Sequence, residues 1–205
     1  MRYKFLSFLL LILSLSACAP PVYFASGFQG QIIDAQTGQS LEKVIVVGLW
    51  AVGGIGFGDT GLSQRLRVYE TITDGEGRFL IPAAVVSRNP FSRSPGKTLR
   101  CFKQGYLPKV LSLSETQIVE LEMLPKTMSV EYQAVELSTL FNPMTDDYNS
   151  QDWKNYPRML LAVSAEMQRL LSIGSNQWIV RPSIPDINNF SKEDKQFLEG
   201  FKGEI

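Results

Sequence analysis

Gly30-Gln31-Ile32-Ile33-Asp34-Ala35-Gln36-Thr37-Gly38, followed by Leu41-Glu42-Lys43 and Val44-Ile45-Val46-Val47, is the stretch whose reading decides the fold. β-Branched side chains favour a pleated surface, and both apolar runs are bounded by turn formers, so each reads as a strand. Asp34, Thr37 and Gly38 supply the turn between them. Further on, Tyr69-Glu70-Thr71-Ile72-Thr73 alternates into Asp74-Gly75-Glu76-Gly77, and Arg78-Phe79-Leu80-Ile81-Pro82 resumes an extended pattern. Two alternating runs about an Asp-Gly turn predict a β-hairpin, with glycine providing the positive φ. Three further runs complete a β-rich core: Thr98 to Phe102, Val110 to Leu113 and Ile118 to Leu124. The last alternates, which is the signature of a strand with one wet face.

Taken together, the glycine-strand-Asp-x-x-Thr-Gly opening, the paired valines, the Thr73-Asp74-Gly75-Glu76-Gly77-Arg78-Phe79 segment and Lys103-Gln104-Gly105-Tyr106 resemble the carboxypeptidase regulatory-like domain. The resemblance covers about residues 28 to 125. It implies a mainly β fold, a transthyretin-like or Ig-like antiparallel β-sandwich, and a non-catalytic role beside an enzyme or transporter. The chain departs from that pattern in a glycine-rich insert at Trp50 to Arg67 and a Pro-Ser-rich stretch at Ser87 to Lys97.

Upstream of this domain, Arg2 and Lys4 precede an apolar run from Phe5 to Leu15 broken only by Ser7 and Ser14. That is the length of a signal-peptide core, whereas a spanning helix needs roughly 20 apolar residues. Leu15-Ser16-Ala17-Cys18 resembles the lipobox of a bacterial lipoprotein. The resemblance implies cleavage after residue 17 and diacylglyceryl attachment to the Cys18 thiol. Each buried methylene adds roughly 0.8 kcal/mol, so two or three acyl chains anchor stably where one does not. Ala19 rather than Asp follows the cysteine, which in the family points to the outer membrane, facing the periplasm or the surface. Residues 18 to 27 read as a lipidated tether, because Ala19-Pro20-Pro21 cannot continue a helix.

Composition narrows the functional classes. The sequence carries 20 basic and 20 acidic residues, and removal of the leader with Arg2 and Lys4 leaves the mature chain slightly acidic. There is no electrostatic case for nucleic acid. The complete absence of histidine excludes Ser-His-Asp and Cys-His arrangements and the commonest ligand of catalytic zinc. Cys101 is the one cysteine besides Cys18, too few for a thiolate metal cluster, and its apolar neighbours read as a buried strand. Asp34, Asp59, Asp74 and Glu76 match no EF-hand spacing, and turn chemistry accounts for Asp74. No cofactor and no metal are therefore expected.

Gly53-Gly54-Ile55-Gly56-Phe57-Gly58-Asp59 superficially resembles a phosphate-binding loop but lacks the following helix and the Lys-Ser/Thr of a Walker loop. With Trp50, Ile55 and Phe57 it reads as a partner-contact loop, since loops carry recognition in sandwich domains. Trp50, Phe57 and Trp178 are also the aromatics available for stacking on sugar rings.

After Pro125 the character changes. Residues 126 to 205 form a C-terminal extension, in which Lys126 to Glu136 reads as one more strand. Pro157 opens a helix running to Ser172 with Gly174 as its stop. Leu160, Val163, Met167, Leu170 and Leu171 give that helix an apolar stripe, suited to its own sandwich or to a partner. Ser191 and Asp194 form a capping box for a short terminal helix carrying Phe197, Leu198 and Phe201. The paired acids Asp146/Asp147 and Glu193/Asp194 adjoin on polar stretches, and nothing fixes the separation that carboxylate hydrolysis demands. The expectation is a membrane-anchored, non-catalytic lipoprotein that binds another envelope protein; a carbohydrate- or peptidoglycan-binding module is the alternative, and a carboxylate-dependent hydrolase is the weaker enzyme reading.

Overall fold

A computed structural model describes residues 22–52, 64–87, 96–112, 118–140, 154–174 and 190–202. Leu15, Ser16, Ala17, Cys18, Ile55, Phe57, Asp59, Asp146, Asp147 and Trp178 lie outside them. The elements run β1 (Val22–Ala25), β2 (Phe28–Asp34), β3 (Ile45–Val52), β4 (Gln64–Ile72), β5 (Arg78–Ile81), β6 (Ala84–Ser87), β7 (Gly96–Phe102), β8 (Lys109–Ser112), β9 (Ile118–Leu121), α1 (Val130–Ser138), α2 (Pro157–Ser172) and α3 (Lys192–Lys202).

The chain is mainly β. A three-stranded sheet of order β5-β2-β9 faces a four-stranded sheet of order β4-β3-β7-β8, and β1 pairs with β6 in a separate ribbon. The ladders are antiparallel except β2 with β9, which is parallel, so the expected wholly antiparallel sandwich has one parallel edge. Alternation explains the sandwich. Ile32 of β2, Phe79 and Ile81 of β5, and Val119 and Leu121 of β9 meet Val46 and Trp50 of β3 and Leu99 and Cys101 of β7 in one buried cluster.

The central strand β3 is apolar on both faces, and every residue from Val44 to Trp50 is buried. Its even-numbered residues enter the sandwich core, while Ile45 and Val47 join Phe102 on the opposite face. That second face is covered by the helices through Met159, Leu160, Val163, Met167 and Leu170 of α2, together with Ala134 and Leu137 of α1. The C-terminal segment is thus a third layer sharing the sheet's core. Leu160, Val163, Met167 and Leu170 of the α2 stripe are thus buried within the chain, and Leu171 is half-buried.

Three local readings are corrected. The Asp74-to-Gly77 turn joins β4 to β5, but these strands belong to different sheets, so the predicted hairpin is an arch crossing the sandwich. Lys126 to Glu136 contributes to a helix, because Ser129 caps it by accepting the Tyr132 N–H (3.3 Å) and Glu131 sits in its first turn. Residues 22 to 25, expected within an extended spacer, form β1, in register with Ser87 to Ala84.

Gly48 of β3 faces Ile81 of the opposing sheet, and a Cβ there would stand 2.6 Å from Ile81 Cδ1 and 3.1 Å from the Trp50 ring. Overpacking of this kind costs about 1–3 kcal/mol. Gly48→Ala is expected to lower stability within that range in denaturant unfolding, and Ile81→Val, which deletes the clashing methyl, to recover part of the loss. Strict additivity of the two substitutions would contradict this packing.

Candidate interaction surface

Asp34, Thr73, Asp74 and Gly77 of the sequence motifs are turn builders in this fold. Asp34 is buried, and its Oδ1 accepts the N–H groups of Gln36 (2.8 Å) and Thr37 (2.7 Å), while Oδ2 accepts the Tyr106 hydroxyl (2.9 Å). These bonds, led by that from Thr37, hold its carboxyl below the usual range against the opposing effect of burial. Thr73 Oγ1 accepts the Val44 N–H (2.8 Å) and donates to the Leu41 carbonyl (2.7 Å). Asp74 Oδ1 accepts from Glu76 N (3.0 Å) and Arg78 N (2.8 Å). Gly77 has φ +71°, and a Cβ there would come within 2.5 Å of the Ile32 carbonyl oxygen, so glycine is required. Turn geometry therefore engages the acidic residues of this arch.

Trp50, expected on a contact loop, is a core residue of β3 with no exposed surface. Arg67 of β4 lies over its ring at 5.2 Å and over Tyr69 at 5.3 Å. The correction has a simple cause: the strand extends two residues beyond the tryptophan before the glycine-rich run begins. Cys101 is buried as expected, and burial pushes its thiol up to about 12, which leaves it without thiolate character at neutral pH.

The outer face of the three-stranded sheet offers an open groove of about 580 Å³, lined by Gln29, Gln31, Asp74, Arg78, Leu80 and Ile118 among others. β2 aims Gln29 and Gln31 outward because Ile32 and Asp34 are the inward set, and the register places them opposite Leu80, Arg78 and Ile118. Leu80 and Ile118 are more than half exposed. Amide, guanidinium and apolar groups on one concave surface suit contact with an extended peptide segment or a protein surface. The sequence reading passed over these residues; the polar positions 29 and 31 alternating through an otherwise strand-like run were the available signal.

A second site joins the layers. α2 begins at Tyr156 without a side-chain cap of its own, and Glu70 of β4 supplies one. Its Oε1 accepts the Met159 N–H (2.7 Å) and its Oε2 the Arg158 N–H (3.2 Å). Arg158 bridges to Asp194 of α3 at 3.3 Å, and Asp194 N–H is capped in turn by Ser191 (3.1 Å), as the capping-box reading predicted. On the other side of the layer, Gln104 donates to Glu166 of α2 (3.1 Å), which also pairs with Arg169.

No protein-family model and no curated protein matches the chain. Among solved structures, a 9R-lipoxygenase from Cyanothece PCC8801 is matched at a TM-score of 0.26 and 11% identity, over 74% of this chain and 25% of that one. The chain thus spans a quarter of the lipoxygenase's length, and a likeness this weak carries no argument. What the fold itself defines is a mainly β sandwich with a covering helical layer. No helix among the described residues is long and apolar enough to cross a membrane.

Burial raises the Glu70 carboxyl to about 7, against the lowering effect of the two helix N–H groups and of Arg158. In the unfolded chain the group titrates near its ordinary value of 4.5. The folded protein therefore holds a proton that the unfolded chain releases between these values, so this group's contribution is fully present below pH 4.5 and is lost as the pH rises through about 7. Relative to wild type, Glu70→Gln is expected to gain stability as the pH is raised from 5 to 8. Denaturant midpoints at the two pH values check this, and a difference independent of pH would refute it.

Proposed function

We propose that this protein is a membrane-anchored, non-catalytic lipoprotein of the bacterial cell envelope, held at the outer membrane through Cys18 and acting as an adaptor or accessory subunit for another envelope protein. The observation that carries the reading is Leu15-Ser16-Ala17-Cys18 at the end of a basic-apolar leader, with regular structure beginning four residues later at Val22 and the β-sandwich at Phe28. The sandwich reads as a domain of carboxypeptidase regulatory-like type, whose Asp34, Thr73, Asp74 and Gly77 here build its turns.

A non-catalytic role draws support from the side chains that chemistry would need. The sequence holds no histidine. Cys101 is sealed in the core, and Asp34, Asp74, Glu70 and Asp194 are engaged as turn acceptors, helix cap and ion-pair partner. None of these forms the nucleophile-base pairing that hydrolysis requires. The groove over Gln29, Gln31, Leu80 and Ile118 is the surface offered to the partner. The carbohydrate-binding alternative loses one of its three stacking aromatics, since Trp50 is buried.

Cys18→Ala is expected to accumulate unprocessed precursor and to abolish incorporation of radioactive palmitate; undiminished labelling would overturn the anchor. With the anchor intact, a photo-crosslinker at Leu80 is expected to capture one dominant envelope protein, identified by mass spectrometry. Retention of glycan without protein would replace the adaptor reading with a wall-binding one.

A further inference from the structure

The β1–β6 ribbon stands apart from both sheets, and its two faces differ sharply. Ala25 is buried and Tyr23 packs against the sandwich core, whereas Val22 and Phe24 point outward and are 56% and 74% exposed. Their cross-strand partners are Ser87 and Val85, and Val85 is 63% exposed. The outward face therefore presents Val22, Phe24 and Val85 together, with Ser87 the one polar residue among them. The sandwich core covers the ribbon's inner face only, and an apolar patch of this kind on the outer face marks a contact surface that something covers.

Its position in the chain says what does. Cys18 precedes Val22 by four residues, a reach of at most about 14 Å even when fully extended. No charged residue occurs between Cys18 and Asp34. At the ribbon's borders two cations are held: Lys97 Nζ donates to Ser26 Oγ (2.5 Å), and Arg67 donates to the Pro82 carbonyl. Uncharged apolar surface with cations at its margin matches the boundary between acyl chains and phosphate headgroups.

We infer that the outward face of the β1–β6 ribbon, centred on Phe24 and Val85, lies on the lipid bilayer that holds the Cys18 anchor, so that the sandwich docks in a fixed orientation. This rests on the anchor proposed above. Phe24 and Val85 enter the headgroup boundary, and the short tether keeps them there. Docking leaves the helical layer, which covers the opposite face of the four-stranded sheet from the core the ribbon packs on, turned towards water.

The test uses the lipidated full chain in vesicles of phosphatidylethanolamine and phosphatidylglycerol, with a nitroxide attached through Phe24→Cys or, separately, Val85→Cys. Cys18 is occupied by lipid and Cys101 is buried, so neither takes the label. Both ribbon labels are expected to relax faster with oxygen than with a water-soluble nickel chelate, and an Ile173→Cys label on the helical layer to show the reverse. Ribbon labels that stay aqueous on vesicle-bound, palmitate-labelled protein would overturn the inference and leave the anchor standing. Spin–spin broadening without oxygen preference would overturn it in favour of a second copy as the cover. Absence of palmitate from Cys18 would overturn the anchor, and the ribbon's role with it.

Discussion

The rest of the structure depends on β3 being apolar on both faces. A strand at the surface of a two-layer sandwich alternates, because one face must remain wettable. Residues 44 to 50 do not alternate, so a second cover is obligatory, and the helices after residue 129 provide it. Removing that layer would expose Ile45, Val47 and Phe102 together as one contiguous apolar patch. The extension is thus fixed by the composition of a strand more than eighty residues earlier.

Hydrophobic contact sets that the helices cover the sheet, and polar contact sets where. Glu70 is a β4 residue on the helix-facing side, opposite Val47 in the ladder. Its carboxylate meets the first N–H groups of α2, where the helix dipole favours negative charge and local sequence offers no cap. Burial opposes the charged form strongly enough that the pin is held close to its own titration point. Gln104 with Glu166 makes a second tie from the β7–β8 connection, so α2 is held from both sides.

Much of this was legible in the chain, and the failures share a cause. Strands β2, β3, β5, β7, β8 and β9 follow from β-branched runs between turn residues, and α2 follows from Pro157, the apolar spacing and Gly174, whose φ is +109°. What local pattern could not show was which sheet a strand joins. Asp74 to Gly77 makes the same turn hydrogen bonds in a hairpin or an arch, so its sequence fits either, and sheet membership is decided by long-range pairing. The segment 126 to 136 misled for a different reason: Val130 and Tyr132 favour strands, but the Ser129 cap and the need to cover Phe102 outweigh so weak a propensity. The unbroken apolar character of Val44 to Trp50 was the one available signal that β3 is buried on both sides, and it also placed Trp50 in the core.

The distribution of acidic side chains completes the picture. Asp34 closes the β2–β3 turn and receives Tyr106 from across the sandwich; Asp74 closes the arch; Glu70, Glu166 and Asp194 tie the helical layer together. Each is held by several donors, which fixes its rotamer and engages its lone pairs. A carboxylate in that condition organises backbone, because each N–H it accepts from is one that the turn or helix start leaves without a main-chain partner. The outer face of the three-stranded sheet is built differently, with Gln29 and Gln31 beside the exposed Leu80 and Ile118. Gln31 donates to Ser40 Oγ (3.0 Å) and to the Glu76 carbonyl (2.8 Å), and the Arg78–Asp74 pair borders the same groove, so this surface mixes amide, ion-pair and apolar groups.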